Sequence, residues 1–206
     1  SNNHINHCND LNVLIDTMTH GGIEHRGIVV GSKSIIQGDE NNNPYLTNYH
    51  KSLIEKVIPV EKNHKIGIEL VEVNTLPLKQ LDETAVGFKI FCPKFTLTYI
   101  PNSVLTPEIM ESASSSDMLI VGVPYPKDKG NGQSMDTQSA IKLVSHVRPK
   151  VAVITGFGLE MLKADPIQEA REIQRITGVQ TVAAKDGLIM APEGYGSYKN
   201  PIKGYE

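Results

Sequence analysis

The first seven residues, Ser1-Asn2-Asn3-His4-Ile5-Asn6-His7, alternate imidazoles with carboxamides on what reads as a tight turn entering a helix. Such spacing lets several side chains converge on one point. Imidazoles there could hold an ion or exchange protons near neutral pH, while carboxamides are neutral and offer both donors and acceptors. Without a metal, His4 and His7 could act as an acid–base pair. The favoured reading is plainer: they cap the turn and hydrogen-bond the amides around them. Cys8, beside His7, reads as a small packed thiol, because adjacent residues rarely converge on one ion.

The rest of the chain adds no second reactive constellation. Thr155-Gly156-Phe157-Gly158 lacks the serine of a nucleophile elbow, and no Walker-type phosphate loop is present. His20, His25, His50, His64 and His146 have no partner at metal-ligand spacing and read as surface or packing residues. Gly21-Gly22 with Arg26, and the segment from Lys127 to Gly132, read as turns, the alternative being pocket mouths that contact an anion.

These residues need elements to position them. Leu11, Leu14, Ile15 and Met18 stand at helical spacing, predicting a helix over Asn9 to Thr19 that the glycine pair ends. Arg26 to Gly31 reads as a strand and Asp39 to Pro44 as an exposed loop. Val57–Val60, Ile66–Val73, Ala85–Phe91 and Phe95–Ile100 read as antiparallel strands, with a hairpin turn at Pro93-Lys94. Met118–Val121 and Val151–Ile154 read as buried strands around a helix over Thr137–Val147, a β-α-β crossover. A further helix is predicted from Pro166 to Thr177, closed by Gly178, with strands at Thr181–Ala184 and Leu188–Met190. One domain over 1–191 and a loose Gly-, Tyr- and Lys-containing tail over 192–206 are expected.

The 206 residues carry a formal charge of -3, with a pI near 6.2. That leaves no strong field of either sign to argue for nucleic acid or an anionic membrane surface. No apolar run approaches the roughly 20 residues that span a bilayer. Two cysteines far apart, Cys8 and Cys92, suit a reducing compartment, so a cytoplasmic location is expected.

Several separated motifs together resemble the metallo-β-lactamase superfamily, in particular its archaeal metal-dependent hydrolase branch. The resemblance spans nearly the whole chain. The family turn reads His-x-His-x-Asp-His, and this chain places Asn2, His4, Asn6 and His7 in that frame. Asp16-Thr17-Met18-Thr19-His20-Gly21-Gly22 and Arg26-Gly27 resemble the family's helix and its glycine exit, and Thr84 to Ile90 resembles a following strand. Further ligand positions of the family fall on Gln80, in Lys79-Gln80-Leu81-Asp82, on Asn102, and on Gly156, where the family has Ile-Thr-His-Phe-Gly. Another family histidine aligns with Ser134.

The resemblance implies an α/β fold, a four-layer αβ/βα sandwich. It also implies N-terminal strands ahead of the first motif, either absent or upstream of this sequence, with dimerisation or a partner strand covering any edge left open. It further implies a two-ion hydrolase site from which most ligands are missing: Asn2, His4, Asn6, His7, Gln80, Asn102 and Gly156 mark its positions, and only His4 and His7 could still bind metal. Amides in place of carboxylate and imidazole suit a pocket that holds no cation. No catalytic residue is assigned and no cofactor is expected, zinc or another divalent metal being the alternative. The resulting expectation is a pseudoenzyme that acts by binding a ligand or a partner, such as an active relative or a second copy. Its rivals are a metal-dependent hydrolase of ester, amide or phosphodiester bonds with an atypical ion site, and a self-associating interaction module.

Overall fold

In the computed structural model, which describes residues 1–40, 42–127, 129–130 and 132–190, the chain opens with two helical segments, α1 (Ile5–Cys8) and α2 (Leu11–Met18). A small parallel unit follows: β1 (Ile28–Ser32), the short helices α3 (Lys33–Gln37) and α4 (Asn48–Ser52), then β2 (Lys56–Val60). The hairpins β3 (Lys65–Ile68), β4 (Val71–Pro77), β5 (Val86–Phe91) and β6 (Thr96–Ile100) come next. Crossover units complete the described residues: α5 (Pro107–Ala113), β7 (Met118–Gly122), α6 (Thr137–Val147), β8 (Val151–Thr155), α7 (Leu159–Ala164), α8 (Pro166–Thr177) and β9 (Gln180–Ala183).

Local chemistry accounts for the long helices. Asp136 caps α6 by accepting the Ser139 N–H at 2.8 Å. Asp165 does the same for α8 through the Ile167 N–H at 2.9 Å, Pro166 fills the first turn, and Gly178 closes the helix at φ 71°.

The strands form a two-stranded sheet, β1-β2, and a seven-stranded sheet in the order β3-β4-β5-β6-β7-β8-β9. From β3 to β6 the pairing is antiparallel, and from β6 to β9 it is parallel. Period-two alternation sends Ile100, Leu119, Val121, Ala152 and Ile154 to one face, where they pack in a core with Ile109 of α5, Leu143 and Val144 of α6 and Ile173 of α8. On the opposite face Phe88, Ile90, Leu97, Tyr99 and Ile120 are half-buried. A second, smaller core joins Cys8, Ile15, Ile35, Ile36, Leu46 and Ile54 beneath the two-stranded sheet.

Three sequence expectations are corrected. Ile66–Val73 is two strands, because the chain reverses at Glu69, whose φ is 52°, and Leu70; neither is a usual turn residue. Val57–Val60 pairs parallel with β1 instead of antiparallel, since α3 and α4 supply the crossover a parallel pair needs. Leu188–Met190 forms no strand: Gly187 turns the chain at φ 79° and Ile189 is 84% exposed, so nothing rewards pairing. The tail over 192–206, and residue 191, lie outside the described residues.

Candidate functional site

In the seven-stranded sheet, β4, β6, β7 and β8 all run the same way, so their carboxyl ends lie along one rim. The segments leaving that rim carry Gln80 after β4, Asn102 after β6, Pro124 and Tyr125 after β7, and Gly156 to Gly158 after β8. Together with the N-terminal turn they enclose a cavity of about 470 Å³. All seven positions singled out from sequence, Asn2, His4, Asn6, His7, Gln80, Asn102 and Gly156, line it, and so does Ser134.

The turn is built from its own amides and imidazoles. Asn2, 1% exposed, accepts the His4 N–H on its Oδ1 at 3.0 Å. His4 is the N-cap of α1 and accepts the Asn6 N–H on Nδ1 at 3.4 Å, leaving Nε2 free to carry the ring proton. The rings of His4 and His7 meet edge to face, their centroids 6.1 Å apart. Cys8 points away: its thiol donates to the His4 carbonyl at 3.2 Å, and burial pushes its pKa up, as expected for a packed, unreactive thiol.

Asp82 holds the turn against the body of the fold. One carboxylate oxygen accepts the Asn3 N–H at 2.9 Å and the Ser34 hydroxyl at 2.7 Å. The other accepts the Thr84 N–H at 2.9 Å and its hydroxyl at 2.8 Å. Although Asp82 borders the cavity, four donors already occupy its oxygens. Sequence reasoning quoted this residue without seeing that role, because two of its partners, Asn3 and Ser34, reach it only in the finished fold. The spacing Asp82-x-Thr84 was the one local signal.

Burial holds the His7 imidazole below its ordinary pKa of 6.5, and the adjacent His4 adds to this. Well above pH 6.5 the ring is neutral in both folded and unfolded chains and contributes nothing. As the pH falls from there through the lowered folded value, the unfolded chain takes up the proton more readily, so stability drops. A His7→Asn variant is therefore expected to lose less stability than the parent in thermal melts between about pH 7 and pH 5. Equal losses in the two proteins would contradict this.

Two polar atoms on the lining are shielded from solvent and have no partner, the donor Nε2 of Gln80 and the acceptor Oδ1 of Asn102. Leaving such groups unpaired costs about 1–3 kcal/mol each. Asn3, Gln133 and Ser134 add further polar groups, and the apolar and aromatic part of the lining is Leu81, Pro101, Pro124, Tyr125 and Phe157. The aromatic pair was missed from sequence, although residues just past the carboxyl ends of parallel strands are where ligands usually lie.

Among the described residues no lysine or arginine lines the cavity. Arg26 pairs with Glu24 at 3.0 Å. The charge of Lys127 acts on Glu172 and that of Lys129 on Glu160. In the Lys127–Gly132 segment, residues 128 and 131 lie outside the described residues.

The fold is shared with solved structures. The chain superposes on the metallo-β-lactamase fold protein YhfI from Bacillus subtilis with a TM-score of 0.74 and 16% identity, over 91% of this chain and 74% of that one. The chain has the metallo-β-lactamase fold. It also superposes on Igni18, a metallo hydrolase from the archaeon Ignicoccus hospitalis, with a TM-score of 0.66 and 14% identity, over 91% of this chain and 75% of that one. In sequence it is 22% identical over 187 residues to an uncharacterized protein of Methanocaldococcus jannaschii, covering 90% of this chain and 70% of that protein. No family model matches. The layered α/β architecture implied by the sequence resemblance is thus the fold, and no helix among the described residues is long and apolar enough to cross a membrane.

The metallo-β-lactamase fold makes metal the natural question for this cavity. Among the described residues no three His, Cys, Asp or Glu side chains gather as ion ligands. Zinc sites use three or four protein donors of imidazole, thiolate or carboxylate type. This lining supplies two imidazoles and a carboxylate already saturated by four hydrogen bonds, a donor set that does not fit such an ion.

Proposed function

We propose that this metallo-β-lactamase-fold protein acts by binding a small ligand in the cavity, without metal-dependent hydrolysis. The observation that carries the reading is the donor set: His4 and His7 stand beside Asn2, Asn6, Gln80, Asn102 and Gly156 on one lining. Carboxamides are poor donors to a borderline-soft ion, and a hard ion wants several carboxylates. The same carboxamides are well suited to hydrogen-bonding an organic molecule.

Elemental analysis of the purified protein, before and after incubation with zinc or manganese and desalting, tests this. Well below one equivalent of bound ion is expected, together with no turnover of ester, amide or phosphodiester substrates. A stoichiometric ion, lost in His4→Ala and accompanied by hydrolysis, would overturn the reading. It would favour the second one, a hydrolase with an atypical ion site, which rests on the likeness to a metallo hydrolase.

A further inference from the structure

We infer that the cavity takes an uncharged, ring-shaped ligand bearing both hydrogen-bond donors and acceptors, a sugar or a nucleoside without phosphate. This rests on the reading of the cavity as a metal-free binding site and narrows it to a ligand class.

The first argument is charge. Among the described residues no lysine or arginine lines the cavity, so a phosphate or carboxylate there would find no lysine or arginine counter-charge. The carboxylate on the lining, Asp82, has its oxygens taken by Asn3, Ser34 and Thr84, so a cationic ligand finds no free anion.

The second argument is independent and comes from the unpaired atoms. Gln80 Nε2 needs an acceptor and Asn102 Oδ1 needs a donor. An anion, with acceptors only, would leave Asn102 facing its own kind. A cation would leave Gln80 unmet. A hydroxylated sugar ring or the edge of a nucleobase carries both functions on one rigid frame, the pattern a carboxamide reads best.

Shape agrees with chemistry. Tyr125 and Phe157, with Pro101 and Pro124, give flat apolar walls for a ring face. A volume of about 470 Å³ lies within the range of small-molecule sites.

Binding of adenosine, uridine, glucose and N-acetylglucosamine should be compared with that of adenosine and uridine 5′-monophosphates and glucose 6-phosphate, by calorimetry and thermal shift, with and without added zinc. At least one uncharged compound is expected to bind about tenfold more tightly than its phosphate, independently of zinc. The nucleoside and sugar arms separate the two sources. Gln80→Glu, which keeps the side-chain shape but replaces the donor with a charged acceptor, should weaken binding about tenfold or more, and melting of the free variant checks that it folds. Silence from every uncharged compound would overturn the inference, as would phosphates that bind as tightly as their parents or unchanged affinity in folded Gln80→Glu. Zinc-independent preference for phosphates would defeat the ligand class alone, whereas a stoichiometric zinc requirement would defeat the metal-free reading beneath it.

Discussion

Gly122→Ala is expected to destabilise the fold by about 4 kcal/mol or more, lowering the melting temperature by about 8–16 °C. Gly122 ends β7 where the chain leaving β6 passes against it. A Cβ at this position would overlap the Pro101 carbonyl oxygen and come within 2.6 Å of the Pro101 carbonyl carbon. These are backbone atoms, so no side-chain rotation relieves the contact. The strand end must shift, and Asn102, one residue on, must shift with it. The variant should therefore lose cavity binding as well as stability. Gly67→Ala is the control: it also adds one methyl group to a strand, but meets nothing within 4 Å, so its melting temperature should stay close to that of the parent. Parent-like melting of Gly122→Ala would contradict the close approach of the two segments.

Asp82→Ala is expected to cost about 3 kcal/mol, read as a lower midpoint in chemical denaturation and a melting temperature lower by about 6–12 °C. The substitution removes a carboxylate that accepts from Asn3, Ser34 and Thr84 at 2.7 to 2.9 Å. Hydrogen bonds to an ionised acceptor are the stronger kind. Asp82→Asn should rescue little, since an amide nitrogen would face a donor on one of its two sides. A loss within a few tenths of a kcal/mol would reduce Asp82 to an ordinary surface carboxylate.

What could be read in advance depended on how local the determining physics is. The bounds of α6 and α8 follow from sequence because their stops are written beside them, Asp136 at one start, Pro166 and Gly178 at either end of the other. The buried strands β7 and β8 were legible as uninterrupted apolar runs. The helices α3, α4 and α7, of five or six residues each, are too short to establish a period and stayed hidden. So did the reversal at Glu69, where the two-residue hairpin between β3 and β4 imposes a left-handed conformation that the residue type does not advertise.

The site divided along the same line. Its seven positions came from motifs in chain order, and the common rim of parallel strand ends explains why residues as far apart as Asn2 and Gly156 meet. The tie at Asp82 and the aromatic walls depend on contacts that no short stretch of sequence encodes. Gly156 combines both lessons. A side chain there would have room, with the nearest atom 3.6 Å from a Cβ, but the backbone sits at φ 66°. Placing an imidazole at that position would therefore cost about 1–2 kcal/mol in backbone strain.

The tie at Asp82 also sets an order of events during synthesis. Its bond to Asn3 spans 79 residues and its bond to Ser34 spans 48. Closing such loops is entropically costly and yields nothing until the body of the sheet exists to hold both ends. A chain made from its amino end produces the histidine turn before Asp82, so the tie between them waits until Asp82 has emerged and β4 and β5 have paired. The cavity is thus among the last features to form on the growing chain, and its appearance marks the moment at which the two ends of this long loop have found each other.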